Sequence, residues 1–179
     1  MQSAMIVTKD ATKNLEDALK SLTAKKVFVG IPQDDNARAD DASFGNASIG
    51  YVNEFGSAAA NIPPRPHLIP GVQQAQKKIS DIFMNGGKAA LAGNRQAAED
   101  SLVAAGLVAV ASVKRYITDG LSPPLAESTL EARARRGRKG AIAELSNRAS
   151  GKAPSSDLAK PLIDTGEYRN AITYVIREE

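Results

Sequence analysis

The residues of this chain that are capable of chemistry are few, and their spacing closes off most reaction classes. His67 is the only histidine and cysteine is absent, so there is no thiol nucleophile, no disulfide framework and no multi-histidine metal site. A Ser-His-Asp arrangement would have to be built on His67, which sits between prolines and aliphatic residues. Gly86-Gly87-Lys88-Ala89 lacks the upstream glycine and the hydroxyl residue of a phosphate loop. The acidic stretch with Asp34, Asp35, Asp40 and Asp41 lacks the central glycine and closing glutamate of a calcium loop. No metal or cofactor is expected. The strongest charge feature is Arg133, Arg135, Arg136, Arg138 and Lys139, five cations in a chain whose net charge is only +3. Cations this dense repel one another, so the stretch is expected to be exposed and mobile, and able to meet phosphates or an acidic partner. No aromatic residue interleaves with them, which argues against stacking on single-stranded bases.

Leu162-Ile163-Asp164-Thr165-Gly166 carries the local pattern of aspartic proteases, in which two carboxylates share a proton to activate water. Only 13 residues follow Gly166, too few for a flap and a second glycine-bearing loop. The preceding residues are too polar and arginine-rich for a β-barrel. A retroviral-type protease using Asp164 is thus the enzymatic alternative to a plain turn, in which Asp164 and Thr165 satisfy backbone donors.

Ile62-Pro63-Pro64-Arg65-Pro66-His67 follows Tyr51-Val52-Asn53-Glu54-Phe55-Gly56. Proline fixes φ and removes a donor, so this arm is stiff and extended, and Arg65 and His67 are expected to project from it.

The elements around these residues read as mixed α and β. Ile6-Val7-Thr8 reads as a short strand, and Leu15, Ala18, Leu19 and Leu22 fall at helical spacing. Val27-Phe28-Val29-Gly30-Ile31 reads as a strand ending at Pro32. Residues 33–48 read as an exposed loop, and residues 49–55 as a strand or short helix. Pro70 suits a helix start; Val72, Ala75, Ile79, Ile82 and Phe83 form its stripe, and Gly86-Gly87 interrupts or ends it. A second helix over residues 96–118 has an apolar arc wide enough to be covered on more than one side. Residues 121–160 show no clear period and read as an extended basic arm with a short helix near residues 125–135. Thr165 can cap a turn through Glu167. Ala171-Ile172-Thr173-Tyr174-Val175-Ile176 reads as a final strand inside the sheet. With 4% aromatic residues, the core must be aliphatic and alanine-rich. The length suits one domain, 1–179, and no uninterrupted apolar run approaches the roughly 20 residues of a membrane span.

Three blocks in this order carry a resemblance: Tyr51-Val52-Asn53-Glu54-Phe55-Gly56 with Ile62-Pro63-Pro64-Arg65-Pro66; Leu121-Ser122-Pro123-Pro124-Leu125 with Ser128-Thr129-Leu130; and Lys160-Pro161-Leu162-Ile163-Asp164-Thr165-Gly166 with Ala171-Ile172-Thr173-Tyr174-Val175. The set resembles tailed-bacteriophage neck and tail-completion proteins of the HK97 gp10-like group and the related Mu-type virion morphogenesis proteins, over residues 26–176. Two positions depart from that pattern. His67 stands where phenylalanine is common, and Tyr168 where leucine is usual.

The resemblance implies a non-enzymatic virion protein of α+β fold, a small antiparallel sheet packed against one or two long helices, with a long protruding arm. It implies a homo-oligomeric ring, typically of six, that joins the head connector to the tail tube and passes double-stranded DNA through its lumen. A tail terminator or head-closure ring is the structural alternative, and a free DNA-binding module a further one. Glu54, Phe55, Pro63, Pro64, Arg65, Pro66, Asp164 and Thr165 are the assembly-interface candidates. Arg133, Arg135, Arg136, Arg138 and Lys139 are the candidates for contacting the DNA backbone.

Overall fold

The computed structural model describes residue 20, residues 24–38 and residues 44–178. The strand read at Ile6-Val7-Thr8 and the helix read through Leu15, Ala18, Leu19 and Leu22 lie outside the described residues. The β-branched run after Lys26 forms strand β1, Lys25–Gly30, which pairs antiparallel with β2, Thr173–Glu178. Lys25 lies opposite Glu178 and Gly30 opposite Thr173. Among the described residues the sheet has two strands, so β2 is an edge rather than the expected inner strand. One face of the pair is covered by a helix, while Phe28, opposite Val175, stays half exposed.

The covering helix is α4, Arg95–Asp119, in the chain order α1 Asn46–Phe55, α2 Leu68–Gln74, α3 Gln76–Leu91 and α4. Asn94 caps α4 by accepting from the Ala97 N–H at 3.1 Å, and Gly120, at φ 117°, ends it. As its wide apolar arc predicts, α4 is touched by α2, α3, β1 and β2. Small residues make this possible. Ala98, Ser101, Ala105 and Ala109 are buried along the helix. A methyl group on Gly86 would sit 2.2 Å from Ser101 Oγ, so glycine there permits the crossing of α3 over α4. That corrects the reading of Gly86-Gly87 as a helix end: α3 runs through both, and the break falls at Ala75, between α2 and α3. By length and composition α4 would pass for a membrane span; here it is the helix on which the other elements pack.

The main core contains Val113, Ile117, Leu121, Tyr168 and Ile172, with Val29, Ile49, Leu68 and Val72 around it. A fully buried Ile117 or Ile172 contributes about 1.5–3 kcal/mol each. The mixed α and β architecture, with a small antiparallel sheet against a long helix, is as the sequence indicates. The stretch 121–160, by contrast, is not a loop with one short helix. It folds into two helices, α5 Glu127–Arg135 and α6 Lys139–Ala149, around a second small core of Leu125, Leu130, Ala141 and Ala159. Each ends in a glycine with positive φ, Gly137 at 75° and Gly151 at 84°. At Gly137, Arg138 N–H bonds to Arg133 O and Gly137 N–H to Ala134 O, the paired 6→1 and 5→2 bonds of a helix-terminating motif. The basic run is therefore a structured turn. Buried Glu144 of α6 orders the following loop by accepting from Ser155 N–H at 2.8 Å and Arg148 Nε at 2.9 Å; the Ser155 bond foremost holds its carboxyl below the usual range. The last helix is α7, Glu167–Ala171, with Glu167 N–H donating to Thr165 Oγ1 at 3.3 Å as the turn chemistry predicts.

Candidate functional site

The 49–55 segment, open between strand and helix in the sequence, is helical. It ends at Gly56, after which Ser57 and Ile62 form an antiparallel bridge that launches the proline arm. The arm is extended, and its side chains alternate. Pro64 and Pro66 are exposed, whereas Arg65 and His67 point inward and are buried. The expectation that Arg65 and His67 project outward is thus corrected. The arm lies against α1, with Arg65 N–H on Asn53 O at 2.5 Å, and this fixes which alternate residues face in.

Glu54, on the inner face of α1, holds the end of the arm. Its carboxylate accepts from the backbone N–H groups of His67 at 2.7 Å, Leu68 at 2.9 Å and Ile69 at 3.1 Å, the unpaired donors at the start of α2. His67 is fully buried, with Nδ1 2.8 Å from Arg65 O and Nε2 against the Tyr168 hydroxyl. A carbonyl only accepts, so Nδ1 carries the proton, and Nε2 accepts from Tyr168. Burial pushes the His67 pKa down, against the opposing pull of the Arg65 carbonyl and the Glu54 charge. Burial, then the Glu54 charge, pushes that of Tyr168 up.

Arg65 donates through Nε to Pro123 O at 2.8 Å and through Nη2 to Pro124 O at 3.0 Å. Arg133 donates through Nη1 to Lys160 O at 2.9 Å and Ile163 O at 2.8 Å. Its burial contradicts the expectation that all five cations of the basic run are exposed. Carbonyl acceptors make that burial tolerable. Burial lowers the pKa of both guanidiniums, and nearby Asp164 opposes this at Arg133. Asp164 itself accepts from Arg136 Nη2 at 2.6 Å and Arg138 Nε at 2.8 Å. Its two oxygens are each held by a cation, rather than by a second carboxylate as in a proton-sharing pair.

These groups surround one cleft of about 350 Å³. The three blocks separated in sequence meet there: Asn53, Pro63 and Arg65 from the first, Leu125 and Thr129 from the second, Pro161, Asp164 and Thr165 from the third. Of the remaining candidates, Phe55 is exposed and its ring lies 5.0 Å from that of Tyr51, also exposed. Arg135 and Lys139 are exposed away from the cleft lining, and Arg136 and Arg138 lie at its Asp164 edge. Glu54 is spent on contacts within the chain, and Arg65 and Arg133 are anchored by backbone carbonyls. Sequence reasoning passed over Tyr168, whose only signal was a polar aromatic where an aliphatic residue was expected. Among the described residues, no group of three or more histidine or carboxylate side chains could hold a metal. No protein-family model matches the chain, and neither the curated proteins nor the solved structures contain a match to it.

Proposed function

We propose that this chain is a structural protein of the head–tail junction of a tailed phage, a ring-forming neck or tail-completion component. The observation that carries the reading is the meeting of the three blocks at one cleft. Residues that looked like scattered fragments of an assembly signature form a single surface feature, with a stiff arm on one side and a helical hairpin on the other. Exposed apolar side chains support self-association. Tyr51 and Phe55 stand together on α1, and an apolar groove of about 600 Å³ lies between β1, α3 and α4, lined by Phe28, Ile79, Phe83 and Leu102. A closed ring uses such unlike patches head to tail. The exposed Arg135 and Lys139 suit sequence-independent contact with passing DNA. The pairing of Asp164 with Arg136 and Arg138 favours a structural role for the Asp-Thr-Gly segment over the protease alternative.

Native mass spectrometry and electron microscopy of the purified chain, alone and mixed with the head connector of its phage, test the reading. Cyclic oligomers, disrupted by Phe55→Asp with the fold intact, are the expected result. A chain that stays monomeric at every concentration and joins neither head nor tail overturns it.

A further inference from the structure

We infer that the cleft between the proline arm, α5 and the Asp-Thr-Gly segment is a carboxylate-binding pocket, built to receive an acidic side chain from an assembly partner. The inference goes beyond the ring proposal and stands on the cleft alone.

Three arginines line it: Arg38, which donates to Asn46 Oδ1 and pairs with Glu167, and two that are buried, Arg65 at 7% exposure and Arg133 at 8%. Each buried one is fixed on one side by backbone carbonyls. Arg65 uses Nε and Nη2 on Pro123 and Pro124; Arg133 uses Nη1 on Lys160 and Ile163. The remaining nitrogens, Nη1 of Arg65 and Nε and Nη2 of Arg133, have no hydrogen-bond partner among the described residues. Neither residue is left with a fully buried unsatisfied nitrogen, so those N–H groups keep some exposure, and both side chains line the cleft. Neutral carbonyls satisfy geometry without cancelling charge, so two positive groups are held in place at a cavity wall with donors to spare. The Nε–Nη2 edge of Arg133 is a fork that matches a planar carboxylate, Arg65 adds the single donor Nη1, and charge-assisted bonds of this kind are about twice as strong as neutral ones.

The other lining residues choose the ligand. Ile49, Ile62, Pro63, Leu125 and Leu162 supply apolar walls that a methylene stem can pack against. The one carboxylate in the lining, Asp164, is bonded by Arg136 and Arg138, so Arg65, Arg133, Arg136 and Arg138 face a single negative charge there and the cleft stays net positive. Duplex DNA is excluded, because a phosphate on its backbone cannot reach guanidiniums that are more than nine-tenths buried. A glutamate or aspartate side chain entering from a partner's surface can.

The test follows the side-chain N–H signals of Arg65 and Arg133 by NMR in the full chain. The probes are glutarate, the blocked peptide acetyl-Gly-Glu-Gly-amide, its Gln counterpart and inorganic phosphate, with sodium chloride matched for ionic strength. Saturable shifts with glutarate and the Glu peptide, but not with the Gln peptide or salt, are expected. Thr129→Trp, one helical turn before Arg133, fills the exposed mouth and leaves both arginines and their carbonyl acceptors in the chain; it should weaken that binding at least about tenfold with thermal stability unchanged. Glutarate binding with the Glu peptide excluded would overturn the partner side chain as the source. Phosphate binding without glutarate, equal binding by Thr129→Trp, or a response to salt alone would overturn the pocket. Because binding is read on a single chain, Glu-peptide binding by a chain that stays monomeric at every concentration and joins neither head nor tail would remove the ring proposal and leave the pocket standing.

Discussion

His67 accepts a hydrogen bond from the Tyr168 hydroxyl across 101 residues of sequence, with the two rings edge to face at 5.5 Å and 71°. A polar pair thus meets at a single contact in the buried core. The contact ties the proline arm to α7, and so one wall of the cleft to the other.

A double-mutant cycle follows from this. Tyr168→Phe leaves His67 Nε2 buried without a donor, and His67→Phe strands the hydroxyl. Each single change should cost about 1–3 kcal/mol. Because replacing both partners with apolar groups removes the stranded atom, His67→Phe with Tyr168→Phe should cost less than the sum of the singles. Urea unfolding of the four chains measures the coupling, and strict additivity would show that the bond contributes nothing.

Acid should destabilise the fold through His67. Its pKa is lowered in the folded state, while the unfolded chain takes up a proton near the ordinary value of about 6.5. The contribution is therefore complete above about pH 6.5 and is lost progressively as pH falls below that, toward the depressed folded value. Denaturation midpoints measured from pH 8 down to about 5.5 should show the decline, and His67→Phe should flatten it.

Glycine positions in the two long helices should respond in opposite senses. A methyl group on Gly87 of α3 meets nothing within 4 Å, so Gly87→Ala should stabilise by up to about 1 kcal/mol. On Gly106 of α4 it would lie 2.4 Å from Tyr174 Cδ2, so Gly106→Ala must displace the ring and should cost about 1–3 kcal/mol despite the gain in helix propensity. Thermal melts of the two variants decide it.

Asp164→Asn removes the charge that holds Arg136 and Arg138. Those arginines are about half exposed, so the two ion pairs together should be worth no more than about 1 kcal/mol, and less in high salt. Particle assembly should survive. Loss of a proteolytic processing step with the fold intact would restore the enzymatic alternative.

Local chemistry determined a good deal. The β-branched run made β1, the spacing of Leu102, Gly106, Ala109, Val113 and Ile117 made α4, and Thr165 made the turn into α7, because each depends on neighbours within a few residues. The stiffness of Pro63-Pro64-Arg65-Pro66 was equally legible, since proline restricts its own backbone. The side chains' direction was not. An extended arm alternates faces, and only its docking on α1 decides that Arg65 and His67 are the buried set. The same holds for the hairpin of α5 and α6: its arginine-rich sequence hides a small core that exists only when Leu125, Leu130, Ala141 and Ala159 come together. Sequence therefore supplied the pieces of the cleft in order. Tertiary structure made them one site, because burying Arg65 and Arg133 requires carbonyls contributed by segments tens of residues away.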